Sequence, residues 1–197
     1  MRDSFAILPL VLSFGLAGAA HAQDASAWAG LYGGVQLSYG EGSQDYNTLA
    51  GVYDIKGEAQ GLFAGYLWTS GAWAYGAEIG YSSSNYHEFS LASAGGDEYP
   101  SYKFNHTLDL KARAGYAMNA TLFYGTLGYG FSEFQDGAVA PANLYDVKGV
   151  LVGFGVEQMV TDRFFVGGEV LQRGMNSDSG GFDADLATLT LRAGMTF

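Results

Sequence analysis

The sequence predicts an all-β chain, an eight-stranded antiparallel up-and-down transmembrane β-barrel, from its composition, its periodicity and the lengths of its connections. Of 197 residues, 30 are glycine, none is cysteine and only 15% are charged, against roughly 25% in typical soluble domains. After the N-terminal segment no stretch reaches the roughly 20 apolar residues of a membrane helix. An apolar chain without such a stretch is typical of a membrane β-barrel.

Eight stretches alternate apolar and polar residues with the period of two that indicates a strand. The last stretch is the clearest, because Leu189 and Leu191 alternate with Thr190 and Arg192. The predicted strands cover 28–40, 56–68, 72–82, 106–117, 121–132, 148–160, 163–174 and 186–197.

The connections between these strands alternate in length, as in up-and-down outer-membrane barrels. Three are short, at 69–71, 118–121 and 161–162. The other four are predicted to be long outer loops, at 41–55, 83–105, 133–147 and 175–185. Because the strand number is even, both termini should lie on the short-turn side, the periplasm.

The two faces of the strands differ in chemistry. In the fourth predicted strand Leu108 and Leu110 share one face, and Asp109 and Lys111 share the other. The second and seventh strands are mixed; in the seventh, Leu171 falls on the charged face. We predict that the apolar face contacts lipid, because glycine weakens an exposed strand but leaves room for long side chains inside a narrow barrel.

Aromatic residues fall near both ends of the strands, as interfacial girdles do: Tyr39, Tyr81, Tyr129 and Phe131 at the outer ends, and Trp68, Trp73, Tyr116, Phe123, Phe164 and Phe197 at the periplasmic ends.

Four acidic and four basic residues fall on the predicted inward face. An eight-stranded barrel has room only for side chains, and isolated buried charge is heavily penalised. We therefore predict a paired network that plugs the lumen, with Arg113 and Arg192 as hubs because a guanidinium can bind two carboxylates. A narrow porin or ion channel is the alternative for the same residues. The eight residues are Glu78, Asp109, Lys111, Arg113, Glu157, Glu169, Arg173 and Arg192.

The N-terminal sequence predicts a cleavable signal peptide. A short charged start is followed by the apolar run "SFAILPLVLSFGLAGAA" and the small-x-small sequence "AHA". This pattern predicts a signal peptide over 1–22, cleavage between Ala22 and Gln23, and a barrel domain over 23–197. A transmembrane anchor is the alternative, for which the apolar run is short.

Several motifs together resemble a known family. They are "WAGLYGGVQLSYG", Gly-Tyr at 65–66, 80–81, 115–116 and 128–129, "RFFVGGEVLQRG" and "TLRAGMTF". With them the chain resembles the small outer-membrane barrels of the OmpA/OmpX type, and most closely the outer membrane protein β-barrel domain group of surface antigens in the porin family. The resemblance implies the cell outer membrane of a Gram-negative bacterium, contact with outer-membrane lipid and lipopolysaccharide, and a role in membrane integrity or in recognition of an unknown extracellular ligand by the loops.

The resemblance also implies a role for the last strand. Such proteins are clients of the barrel-assembly machinery, which recognises a final strand ending in an aromatic residue. Phe197 matches that position, and Met195 and Leu191 match its outward alternation. Two-domain members carry a peptidoglycan-binding domain after the barrel, and without one a cell-wall anchoring role is not expected here.

The sequence shows no catalytic constellation, and we expect no enzyme activity, cofactor or metal. Barrel enzymes that trim lipid A use a His and a Ser near the membrane surface, so His87 and His106 are the residues to consider for such an activity; a metal site from His87, Glu88 and Asp97 is the other alternative. Polar loop residues are the simpler interpretation of both.

The predicted outer loops are acidic, which disfavours nucleic acid as a partner and allows divalent cations to bridge them to lipopolysaccharide phosphates.

Overall fold

The computed structural model describes residues 25–46, 51–90, 97–137, 143–178 and 181–197. The predicted signal peptide, with Ala22 and Gln23, lies outside these ranges. A short 3-10 helix, Ser26–Trp28, precedes eight strands. No helix within the described ranges is long and apolar enough to span a membrane. The strands are β1 (Gly30–Tyr46), β2 (Gly51–Ser70), β3 (Trp73–Ser90), β4 (Asp97–Met118), β5 (Thr121–Asp136), β6 (Asn143–Met159), β7 (Phe164–Ser177) and β8 (Phe182–Thr196).

The strands form one closed barrel in sequence order, and every neighbouring pair is antiparallel. β1 and β8 close it over a register that runs from Tyr32 opposite Thr196 to Tyr46 opposite Phe182. Beyond the last strand, the Phe197 amide donates to the Leu31 carbonyl at 2.9 Å. Closure leaves no unpaired edge among the eight described strands. The predicted fold class, an eight-stranded up-and-down barrel, is confirmed.

Both ends of the described chain lie at the same end of the barrel as the three short turns, which we call the turn end; the opposite end is the loop end. Gly71 and Asn119 adopt the left-handed backbone conformation in two of these turns, with φ of 58° and 55°. The prediction that Trp28 begins the first strand is wrong, because this residue ends the 3-10 helix. Its side chain is 1% exposed and packs at 5.6 Å on the ring of Phe165, so the helix closes the turn end of the lumen.

The strand boundaries at the loop end differ from the predicted ones. Every strand continues past its predicted limit there; β4, for example, begins at residue 97 and not at 106. Much of the sequence predicted as long loops is therefore strand. The polar composition of these segments concealed the strands, because their exposed positions are acidic.

β8 shows how the polarity of a strand reverses along its length. Near the loop end Asp183 and Asp185 are exposed while Ala184 and Leu186 are buried. Towards the turn end the pattern is opposite, with leucines outside and Thr188, Thr190 and Arg192 inside.

The reversal defines the height of the apolar exterior. Leu189 and Leu191 are 48% and 58% exposed, and the outward positions stay apolar down to Phe197. The eight steps from Leu189 to Phe197, at about 3.3 Å each and a strand tilt of about 40°, give roughly 20 Å of height, close to the apolar band of a membrane barrel. Exposed aromatic residues flank the band at the loop end (Tyr39, Tyr81, Tyr129, Phe131) and the turn end (Trp68, Trp73, Phe123, Phe164, Phe197).

This reversal predicts two environments on the outer face of one strand. In lipid vesicles, nitroxide labels at Leu189 and Leu191 should be accessible to oxygen and shielded from a water-soluble nickel complex. Labels at Asp183 and Asp185 should give the opposite result, because these positions face water. Water contact at the two leucine positions would contradict the assignment of the apolar face.

Candidate functional site

The inward side chains form layers along the barrel axis. An apolar layer at the turn end contains Trp28, Tyr32, Phe63, Leu122, Tyr124 and Phe165. A charge layer lies in the middle of the barrel and contains Glu78, Lys111, Arg113, Glu157, Glu169 and Arg192. A second apolar layer closes the loop end and contains Ile55, Phe104, Phe134, Val147, Met175, Phe182 and Leu186. The sequence predicted the charges on this face but not the two apolar layers.

Glu78 is the centre of the charge layer. Its side chain has no exposed surface and contacts three cations. Lys111 lies opposite it on β4, with Nζ 2.6 Å from Oε1. Arg113 donates to Oε2 at 2.8 Å, and Arg192 donates to both oxygens, at 2.9 and 2.6 Å. Bidentate bonding of this kind is among the strongest that a carboxylate makes.

Two further glutamates complete the layer. Arg113 donates to Glu157 at 2.9 Å, and Lys111 donates to Glu169 at 3.0 Å. Arg192 reaches both, with Nε 2.9 Å from Glu157 Oε1 and NH1 3.3 Å from Glu169 Oε2. The first of these contacts is an ion pair outside hydrogen-bond geometry. Three carboxylates thus meet three cations, so the layer has no net charge.

Asp109 and Arg173 form a separate pair towards the loop end. Arg173 donates to Asp109 Oδ2 at 2.6 Å and to the Thr188 hydroxyl at 2.9 Å. The structure therefore brings all eight predicted charges into the lumen, each at most 9% exposed. Beside this pair a cavity of about 10 Å³ remains, which is about the minimum for one water molecule.

Aromatic rings hold the two arginines in place. The guanidinium of Arg113 lies 3.7 Å from the centroid of the Tyr124 ring, and that of Arg192 lies 3.9 Å from the Phe63 ring. Such cation–π contacts are strongest when desolvated. Tyr32 accepts a hydrogen bond from Arg113 at 2.9 Å and donates one to Glu78 at 2.8 Å. Sequence reasoning missed Tyr32, although its alternation with Gly34 and Gln36 places it inside.

Glycine on neighbouring strands makes room for these rings. A Cβ at Gly155 would lie 2.4 Å from the ring of Tyr124, and one at Gly65 would lie 2.4 Å from the Tyr32 hydroxyl. Both contacts are too short for any larger residue. The inward glycines therefore permit the aromatic support of the charge layer.

The residues considered for catalysis lie outside the lumen. Register places Ser83 opposite His106, and His106 opposite Glu133. His106 Nδ1 is 3.9 Å from Glu133 Oε1, which exceeds a hydrogen bond. His87 Nδ1 lies 3.1 Å from the carbonyl of Asn85. The Asp97 side chain falls outside the described part, and no three metal-ligating groups meet among the residues described.

The residues predicted to guide assembly lie on the outer face at the turn end. Leu191 and Phe197 are 58% and 69% exposed, and Met195 is half-buried. This placement leaves their side chains accessible from outside the barrel.

Removing the carboxylate of Glu78 should destabilise the barrel strongly. Glu78→Gln leaves three cations around a neutral amide. Breaking a buried ion pair in this way should lower the free energy of unfolding by about 3–5 kcal/mol. Urea unfolding in lipid vesicles, followed by tryptophan fluorescence, measures the change. Asp185→Asn is the control; because Asp185 is exposed, its effect should stay within about 0.5 kcal/mol. Equal effects of the two substitutions would contradict the role given to Glu78.

Comparisons with known proteins agree with this architecture. The outer membrane protein beta-barrel domain model matches residues 10–197. The "22 kDa outer membrane protein" of Rhizobium leguminosarum bv. viciae is 31% identical over 142 residues, which cover 71% of this chain and 61% of that relative. The chain therefore matches less than two thirds of that relative's length.

Two solved structures share the fold. OprG from Pseudomonas aeruginosa has a TM-score of 0.51 at 14% identity, covering 90% of this chain and 99% of that one. Neisserial surface protein A has a TM-score of 0.50 at 15% identity, covering 83% and 96%. Likeness at these identities supports the fold alone. The family match and the curated relative carry the assignment: the chain belongs to the outer membrane protein β-barrel domain family and is a protein of the Gram-negative outer membrane.

Proposed function

We propose that this protein is a structural, surface-exposed barrel whose lumen is plugged, and that it acts through its outer surfaces. The observation that carries the proposal is the neutral charge layer, in which Glu78, Glu157 and Glu169 are bonded to Lys111, Arg113 and Arg192 across the full width of the barrel. A solute would have to break these pairs in order to pass. The role that remains is to stabilise the membrane and to present the loop end.

The apolar layers support closure on both sides of the charges. At the turn end the rings of Trp28 and Phe63 both pack on Phe165, at 5.6 and 6.2 Å. At the loop end Phe134 and Phe182 pack at 4.9 Å. Water and ions therefore meet apolar side chains before they reach the charge layer. A narrow porin, the alternative reading of the same charges, would need all three layers to rearrange.

The loop end is proposed to face outward, since the turns and the chain ends gather at the other end. Its outer wall is rich in exposed carboxylates, such as Asp45, Asp146 and Asp185. These groups repel nucleic acid and could bind lipopolysaccharide phosphates through divalent cations. Leu191, Met195 and Phe197 are proposed as the contact with the assembly machinery.

A lipid-modifying activity is the second candidate, because register aligns Ser83, His106 and Glu133 on the outer face of neighbouring strands. A serine hydrolase needs hydrogen bonds from nucleophile to base and from base to acid. His106 is 3.9 Å from Glu133 and stacks on Tyr81 at 6.1 Å between ring centroids. A surface histidine that packs on an aromatic residue is the better account of this geometry, and we propose no catalytic role for it.

The plugged lumen predicts no steady conductance. Purified protein in a planar bilayer should insert without opening a stable channel, and Glu78→Ala/Arg192→Ala should also stay closed because the apolar layers remain. Single-channel recording checks both, with gramicidin in the same bilayer as the positive control. A stable wild-type conductance would contradict the plug and favour the porin.

Substituting either histidine should leave lipid A unchanged. Mass spectrometry of lipid A from expressing cells should give the same profile for the wild type, His87→Ala and His106→Ala, and for cells without the protein. Heat-modifiable gel migration confirms that each variant is folded. A protein-dependent change in acylation that disappears in His106→Ala would favour the enzyme.

A further inference from the structure

The small cavity in the lumen lies between the charge layer and the apolar layer of the loop end. Its volume is about 10 Å³. Lys111 of the charge layer and Phe104 of the apolar layer both line it. Asp109 and Arg173 also belong to its wall, so the cavity adjoins the one ion pair that lies outside the charge layer in the described lumen.

The Asp109–Arg173 pair is bonded on one side only. A guanidinium can hold a carboxylate through two parallel N–H···O bonds, and Nε and Nη2 of an arginine lie on the same edge of the group, as such a pair requires. Arg173 Nη2 donates to Asp109 Oδ2 at 2.6 Å. Arg173 Nε and Asp109 Oδ1, however, are buried and have no hydrogen-bond partner in the described part of the chain. One donor and one acceptor of the same pair are therefore unsatisfied, which is unfavourable for buried polar atoms.

Glycine on both neighbouring strands leaves space beside this carboxylate. Gly80 on β3 and Gly130 on β5 lie opposite Asp109 in the strand register. A Cβ at Gly130 would lie 3.0 Å from Asp109 Oδ1, and a Cβ at Gly80 would meet nothing closer than 3.8 Å. The residues paired with Asp109 therefore supply no side chain that could bond Oδ1.

The wall of the cavity also offers hydroxyl groups. Thr107 and Ser132 line it, and their hydroxyls share a hydrogen bond at 2.8 Å. A hydroxyl that makes one such bond can still accept another. Together with Arg173 Nε and Asp109 Oδ1, these groups reach the roughly two to four polar partners that a buried water molecule needs.

We propose that one water molecule is bound in this cavity and bridges the ion pair. It accepts a hydrogen bond from Arg173 Nε and donates one to Asp109 Oδ1. The volume admits about one water molecule and no larger solute. A bare ion is disfavoured, because Asp109 and Arg173 already neutralise each other and an added buried charge is heavily penalised. The inference goes beyond the proposed plug, since a closed lumen could equally be dry at this level.

A crystal structure of the full folded barrel, at a resolution that shows ordered water, tests the bridge directly. We expect density for one water molecule within about 3.2 Å of both Arg173 Nε and Asp109 Oδ1. A direct pair with two parallel hydrogen bonds and no water between these atoms would overturn the proposal. This measurement needs no substitution and therefore stands even where a variant fails to fold.

Magnetic relaxation dispersion of the water oxygen nucleus tests the same site in micelles, because it counts long-lived internal waters. Asp109→Leu/Arg173→Met removes both bridged atoms and should lower the count by one relative to the wild type. Thr188→Val is the control, since it removes the hydroxyl that accepts from Arg173 Nη1 at 2.9 Å but leaves Nε and Oδ1 in place; its count should equal that of the wild type.

Heat-modifiable gel migration shows that each variant is folded. An unchanged count in the double variant would overturn the proposal. An equal loss in Thr188→Val would also overturn it, because the water would then belong to the Thr188 hydroxyl and not to the open side of the ion pair.

Discussion

The pairing of charges across a narrow lumen is the constraint on which the rest of the structure depends. Glu78 illustrates it, because a carboxylate with no exposed surface is stable only when cations surround it, and Lys111, Arg113 and Arg192 do so. Each cation comes from a different position on β4 or β8, while Glu78 comes from β3. The network therefore ties strands on opposite sides of the barrel to one another, which backbone pairing between neighbours cannot do.

Other features follow from the need to hold these charges. The planar guanidinium groups of Arg113 and Arg192 rest on the rings of Tyr124 and Phe63, which exclude water from one face of each. The rings in turn need space, and Gly155 provides it for Tyr124. The small size of Gly155 on β6 lets Tyr124 support Arg113, and Arg113 in turn binds the carboxylate of Glu78. Ions, rings and glycines form one unit, so their substitutions should not be additive.

The solvent outside the barrel decides where each layer lies. Within the apolar band the exterior meets lipid, and the polar side chains turn inward. Beyond the band the exterior meets water, and the interior becomes apolar, as Asp185 outside and Leu186 inside show on β8. The family assignment to the outer membrane agrees with both halves of this pattern. The outward positions match the solvent they contact, and the residues of opposite polarity alternate with them and point inward. A single strand therefore carries two opposite patterns of polarity.

The sequence by itself determined the fold class and the inward position of the charges, because a period of two assigns each residue to a face without knowledge of its neighbours. Leu171 seemed out of place on the charged face, yet it packs inside. Tertiary structure alone decided which charges meet, since Arg192 and Glu78 lie 114 residues apart and touch only across the closed barrel. It also decided that the strands continue past the apolar band and that the Gln44 amide is enclosed with no hydrogen-bond partner in the described part of the chain. These facts depend on packing between distant strands, and alternation along one strand carries no information about that packing.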